Sequence, residues 1–283
     1  MHQIDEFESR FRRAEREAYV FADVPIDSVL LLTDGSRDEA NALRSSLASF
    51  LPRIATAASW RILSTDDYHN VGELLERIDA EQTDLVITYR HLQEQSFVPQ
   101  HSLGVYLDVL TQATAIPVLL LPGTLAEPIS LTDRVSQRVM VVADHIAGDA
   151  RLINYGARMC TVGGTMWLCH VEDDAVFEHY IRAIERIPEI DSDQARVLIG
   201  AQLEKDAANY IETCIGVLKE VGPNVAYHAD VTRGHHLTAY RQLIDEHAID
   251  LVVANTKDED QLAMHGMTYS LSVEMLDVPL LLL

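Results

Sequence analysis

Arg138-Val139-Met140-Val141-Val142-Ala143-Asp144 is an apolar run that ends on an aspartate, and the chain has used that design before, at Val29-Leu30-Leu31-Leu32-Thr33-Asp34. Working outward from either run, apolar segments alternate with helical patterns, which is the signature of βαβ units and a parallel sheet. After the earlier run, Ser36 and Glu39 form an S-x-x-E capping box ahead of Ala40, Leu43, Leu47 and Phe50 at helical spacing. Val71, Leu74, Leu75 and Ile78 mark a second helix, which leads into the strand Asp84-Leu85-Val86-Ile87. A third helix, around Leu103 to Leu110, leads into Ile116-Pro117-Val118-Leu119-Leu120-Leu121.

The later run opens the same series again. Asp250-Leu251-Val252-Val253 repeats Asp84-Leu85-Val86-Ile87, and Val278-Pro279 with the leucines after it repeats Ile116 to Leu121. Three landmarks in one order make this an internal duplication. Asp34 and Asp144 stand 110 residues apart but Asp84 and Asp250 stand 166 apart, so the second copy holds 56 more residues in its middle. A weaker match, Trp60 to Asp67 against Trp167 to Asp174, places the difference after it. There the second copy carries a long helix, with Leu203, Ala207, Tyr210, Ile211, Cys214 and Leu218 on one stripe, and a strand from Asn224 to Val231. The first copy is expected to lack both. A strand at the edge of a doubly wound sheet can be lost while the rest stays paired. The fold class is therefore α/β: two tandem doubly wound parallel sheets, the first truncated to about four strands. The expected boundaries are an amphipathic N-terminal helix at 1–22, a truncated unit at 23–125, a linker at 126–136 and a complete unit at 137–283.

Composition narrows the function classes. The net charge is −22, and only three of the 22 basic residues are lysines (Lys205, Lys219 and Lys257). So acidic a chain is repelled by phosphate backbones and anionic lipid, which argues against nucleic acid and membrane partners. No apolar run reaches the length of about 18 residues that a spanning helix needs, and the charged N-terminus has no signal-peptide core. Cys160, Cys169 and Cys214 read as buried thiols of a reducing compartment, and the expected location is cytoplasmic. The N-terminal segment sets Ile4, Phe7, Phe11, Ala14 and Ala18 on one stripe, which must be covered by its own domain or by a second subunit in a homodimer.

The second copy resembles a universal stress protein domain: a strand ending in Asp144, a helix, Leu168-Cys169-His170-Val171, a long helix, Val231-Thr232-Arg233-Gly234, a helix to His247, then Asp250–Val253 and the closing Val278-Pro279 strand. The resemblance covers roughly 23–122 and 137–283. It implies a role in stress adaptation, with the two halves packed as a pseudo-dimer, and for many members ATP bound between an aspartate after the first strand and a glycine loop after the fourth. It assigns candidate ligand positions to Asp34, Gly35, Ser36 and Gly104 in one copy, and to Asp144 and Gly266 in the other. The chain departs from that pattern. Thr88-Tyr89-Arg90-His91 stands where glycines are expected at or near Thr88 and His91, and Ala254-Asn255-Thr256-Lys257 takes the equivalent place. No hydroxyl follows Gly104 or Gly266 directly, Thr268 coming one residue late, and Asp258, Glu259 and Asp260 crowd the second loop. Backbone N–H groups must approach phosphate closely, and side chains and negative charge both oppose it. ATP is therefore disfavoured as a tight ligand.

No P-loop, dinucleotide fingerprint or G-x-S-x-G elbow is present, so no catalytic residue is assigned and the chain does not read as an enzyme. His235-His236 reads as a polar helix start, since neighbours on a helix point about 100° apart and rarely share a metal. His170 reads as a packing residue, and no metal site is expected. Gly163-Gly164 reads as a helix stop. Asp34 and Asp144 lie where open parallel sheets place ligands, although a turn-forming or capping role explains them equally. The reading is a non-catalytic binding or regulatory protein. The alternatives are an ATP-binding stress protein that keeps adenosine contacts at Asp34 and Asp144, a binder of a small non-nucleotide ligand, or an ATP-dependent enzyme of the wider adenine-binding superfamily.

Overall fold

The computed structural model describes residues 18–56, 58–93, 101–123, 131, 134–143, 150–256 and 266–283. In chain order the elements are β1 (Ser28–Leu32), α1 (Arg37–Phe50), α2 (Pro52–Ala55), β2 (Ser59–Leu63), α3 (Val71–Glu81), β3 (Leu85–Tyr89), α4 (Val105–Ala113) and β4 (Val118–Leu121). The second half follows with β5 (Arg138–Val142), α5 (Ala150–Met159), β6 (Thr165–Asp173), α6 (Asp174–Ile184), α7 (Ser192–Val221), β7 (Ala226–Gly234), α8 (His236–Glu246), β8 (Leu251–Ala254), α9 (Gly266–Glu274) and β9 (Leu280–Leu282).

Among the described residues all nine strands form one sheet, in the order β2-β1-β3-β4-β9-β8-β5-β6-β7. Every neighbouring pair is parallel except β4 and β9. The two expected sheets are thus joined into one, because the last strand of each half pairs with the other. Leu119 lies opposite Leu281, and these are equivalent positions of the repeat, so a local two-fold axis passes between them. On either side of it the order is the same, and β7 is the one strand of the second half without a counterpart. Residues 64–70 alone separate β2 from α3, too few for the helices and strand that lie between β6 and α8. The edge strand is missing where the spacing placed the deletion.

One register differs from the sequence match. Val29 and Val139 are equivalent, each lying opposite the leucine that opens the next strand, yet Val29 pairs with Trp60 while Val139 pairs with Met166. Trp60 therefore corresponds to Met166, one residue before Trp167. A shift of one residue moves a side chain to the other face, and the two tryptophans pack against opposite cores. One core lies under α1, α2, α5 and the C-terminal half of α7, the other under α3, α4, α8 and α9.

The first strands of both halves are tied down by the repeated aspartates. Asp84 Oδ2 accepts from the N–H of Asp27 and Ser28, and Asp250 Oδ2 accepts from the N–H of Arg138. Arginines also cross between the halves. Arg53 donates through Nη1 to the carbonyls of Ala157 and Cys160 at the end of α5, and Arg151 donates to Ala115 O beyond α4 (3.1 Å). A cation placed there satisfies last-turn carbonyls and complements the helix dipole.

Part of the expected N-terminal helix is corrected. Residues 18–22 form no helix; Tyr19 is buried instead, with its hydroxyl donating to Asn154 Oδ1 (2.7 Å) on α5. Phe7 and Phe11 lie outside the described residues, as does most of the 126–136 linker. Helix α5 stops at Met159, and Gly163 (φ 79°) and Gly164 make the turn after it. Gly164 admits no side chain, because a Cβ there would lie 2.4 Å from Gln137 O. All three cysteines are free and buried. Among the described residues no helix is long and apolar enough to cross a membrane.

Candidate functional site

The carboxyl ends of β1 and β3 bring together most of the candidate residues of the first half. The helix that follows β1 starts as its sequence dictates. Ser36 caps α1, accepting from Glu39 N–H while Glu39 Oε2 accepts from Ser36 N–H (2.8 Å) and Oγ (2.7 Å). Those bonds hold the Glu39 carboxyl below its ordinary range. The N-terminus of α1 therefore already holds an internal carboxylate, with Asp38 beside it, and this negative charge opposes an outside anion there.

Asp34 is occupied as well. Its Oδ1 accepts from the Tyr89 hydroxyl and its Oδ2 from the backbone N–H of Gln93 (2.8 Å). Since Tyr89 spends its one proton on Asp34, Thr33 Oγ1 donates to the Tyr89 oxygen (2.9 Å), and that oxygen also accepts from Asp34 N–H (2.9 Å). Gly35 N–H closes the circuit on Thr33 Oγ1 (3.0 Å). Burial, with the Asp34 carboxylate as acceptor, pushes the Tyr89 phenol up to about 12. The carboxylate that a ligand would need is thus closed from inside by the loop after β3.

That loop is bent as a glycine loop would be, without glycine. His91 has φ 60° and Gln93 φ 62°, in the left-handed region, where a side chain costs about 1 kcal/mol or more. Thr88, the other position expected to need glycine, sits in β3 and is fully buried. His91 N–H donates to Leu103 O (2.9 Å), which draws the loop against Gly104, the N-cap of α4 with φ 90°. His91 and Leu92 are themselves buried, so side chains fill the space that backbone would leave open. Tyr68, buried and edge-on to Tyr106 (5.9 Å between ring centres), adds to the filling.

Arg90, between these residues, faces away from solvent. It is 2% exposed and donates to Ser272 O (3.0 Å from Nε, 2.7 Å from Nη2), Met275 O (2.9 Å) and Leu121 O (3.1 Å). Burial lowers its guanidinium to about 10, still charged at neutral pH. A residue at the expected phosphate loop therefore serves as the cap of α9 in the other half.

In the second half Asp144 lies outside the described residues, as do Lys257 and the acidic run 258–260. Around the position, Ala143 O meets His170 Nδ1 (2.7 Å), and His170 Nε2 lies 3.5 Å from Glu172 Oε2. Both His170 and Glu172 are buried. Asp173 caps α6 through the N–H of Ala175 and Val176, and His236, at the start of α8, meets Val171 O (2.9 Å). Thr256 occupies the position of Arg90, and its N–H and hydroxyl both donate to Leu283 O. Thr268 Oγ1 donates to Asn255 O (2.6 Å), tying this loop to α9, whose first residue is the exposed Gly266. Among the described residues no group of three or more His, Cys, Asp or Glu side chains could hold a metal ion.

Tyr89, Gln93 and Arg90 are the residues that sequence reasoning did not single out. Their partners lie 55, 59 and up to 185 residues away, so no local pattern announces them.

A mostly parallel sheet with helices packed on both faces defines the class of the molecule. Solved structures narrow it further. A universal stress protein from Archaeoglobus fulgidus superposes with a TM-score of 0.53 at 13% identity, over 90% of this chain and 95% of that one. A functionally unknown protein from Pseudomonas aeruginosa gives 0.51 at 15% identity (91% and 92% of the chains), and a protein assigned to the universal stress proteins from the same species gives 0.51 at 14% identity (91% and 93%). At these identities the likeness is one of fold, and it extends over both halves. No protein-family model matches the chain, and no curated protein matches it.

Proposed function

We propose that this chain is a universal-stress-type protein of tandem organisation that acts as a non-catalytic binding or regulatory module in stress adaptation. In this reading the first half has given up nucleotide. The observation that carries it is Asp34, whose two carboxylate oxygens are taken by Tyr89 and Gln93 of its own loop. A ligand would have to break both bonds and would find Glu39 at the helix terminus behind them. In the second half, the buried Glu172 beside the end of β5 and the side chains of Asn255 and Thr256 disfavour a triphosphate on the same physical grounds. Each lost charge-assisted N–H contact to phosphate forfeits about 1.5–3 kcal/mol, so two or three lost contacts weaken binding by orders of magnitude.

The test is calorimetric titration of ATP with Mg²⁺. The expected dissociation constant is weaker than about 100 μM, with no measurable hydrolysis. A micromolar constant abolished by Asp144→Ala would overturn the reading and make the chain a nucleotide binder through its second half alone. The same constant abolished by Asp34→Ala would show that the Tyr89 clamp opens.

A further inference from the structure

At the same end of the sheet as Asp34, because the two halves run antiparallel across β4 and β9, the amino ends of β5 and β8, the C-terminal part of α8 and the turn before β9 enclose an open cleft of about 620 Å³. That volume falls within the range of small-molecule sites. Its apolar wall includes the buried Ile249, Met275 and Val278. Its charged residues are three arginines and three aspartates, and they divide into two groups. Arg138 and Asp250 satisfy each other through two parallel bonds (3.1 and 2.9 Å). Arg134, Arg241, Asp245 and Asp277 do not.

Arg134 spends one N–H on Asp277 O (3.2 Å) and Arg241 spends one on Glu274 O (3.1 Å), so both guanidiniums are anchored on the same short turn. Four of the five N–H donors on each remain. Arg241 and Asp245 are four residues apart on α8, a spacing at which opposite charges ordinarily meet. Anchored to Glu274 O, Arg241 does not reach it. Among the described residues none of these four charges lies within ion-pair distance of a partner, though the Asp277 carboxylate also interacts at longer range with the buried Arg90 guanidinium. The cleft therefore presents two unpaired cations, two unpaired anions and an apolar wall, with no net charge.

We propose that this cleft binds a free α-amino acid with an apolar side chain. Such a molecule carries one carboxylate for a guanidinium fork, one ammonium for an aspartate and an apolar body for the Ile249–Met275 wall. A nucleotide or inorganic polyanion would meet the two free carboxylates, and an uncharged ligand would leave all four charges without a partner. The proposal uses none of the residues at the carboxyl ends of the strands, and it stands or falls independently of the nucleotide reading.

The experiment titrates leucine, N-acetyl-leucine and leucinamide separately into the full chain by calorimetry. A ligand of this size in an open site should bind with a constant between about 10 μM and 1 mM. Blocking either the amine or the carboxylate should weaken it at least tenfold, and so should Arg241→Gln and Asp245→Asn. Asp245 is exposed and its carboxylate makes no bond among the described residues, so Asp245→Asn decides the matter if Arg241→Gln does not fold. No binding of leucine at about 10 mM, a range well above that expectation, overturns the proposal. N-acetyl-leucine binding as tightly as leucine does so too, because the cleft would then be an anion site only. Leucine binding unchanged in Asp245→Asn also overturns it.

Discussion

Arg90 and Thr256 occupy the same position in the two halves, and each donates to the carbonyl of the same repeated leucine, Leu121 in one case and Leu283 in the other. Thr256 stops there. Arg90 continues for the length of its side chain and caps α9 across the local two-fold axis, at Ser272 and Met275. The loops that follow are equally unequal: in the first half Tyr89 closes on Asp34, while in the second Asn255 is held by Thr268. The strands of the two halves have kept one order, and the loops at their carboxyl ends have taken different work. The difference teaches that a position can keep its hydrogen-bond acceptor and still change its role when the side chain grows longer. Both loops are committed to holding the molecule together.

Arg90→Met should break that comparison most strongly. Removing a buried guanidinium leaves three carbonyls without their donor, and the expected loss is about 3–5 kcal/mol. Thr256→Val, which removes only the hydroxyl, should cost about 1 kcal/mol. Urea unfolding of both variants measures the two values, and equal losses would mean that Arg90 is not the cap that joins the halves.

Tyr89→Phe should cost less, about 1–2 kcal/mol, as Asp34 loses one of its two donors. A sharper readout is pH. The Tyr89 phenol in the folded protein lies above its ordinary value of 10, at about 12, so folding favours the neutral form. Its contribution is complete below about pH 10 and fades as the pH rises from there to about 12. Stability measured across that window should fall less steeply in Tyr89→Phe than in the parent chain; identical slopes would remove Tyr89 from the network. The smallest effect belongs to Ser36→Ala, about 1 kcal/mol for the loss of a helix cap. It should leave the Tyr89 slope intact, because the capping box and the Asp34 network share no bond. Asp34 and Ser36 are neighbours, so a changed slope would show that the two are coupled.

How much was legible follows from the range of the forces. The duplicated strands, the capping box at Ser36, the helix from Val71 and the missing edge strand were readable because period, caps and spacing are local properties. Asp84 and Asp250 were readable as landmarks, though not as the caps of the strands beside them. The tryptophan match failed because one residue of register, invisible in a short alignment, decides the face of a strand. Asp34 was found as a candidate from its place at a strand end, but its partners could not be, since nothing near Asp34 in the chain refers to a tyrosine 55 residues on.

Alternating apolar segments and their offsets by themselves determined an α/β chain of two related halves, the first shorter by an edge strand. The tertiary structure alone decided that the halves share one sheet, because Leu119 and Leu281 meet only when both are folded. It alone decided that Asp34 is closed and Arg90 buried. Those outcomes depend on hydrogen bonds between residues far apart in sequence, and such bonds are chosen by which side chains can reach a common point in space.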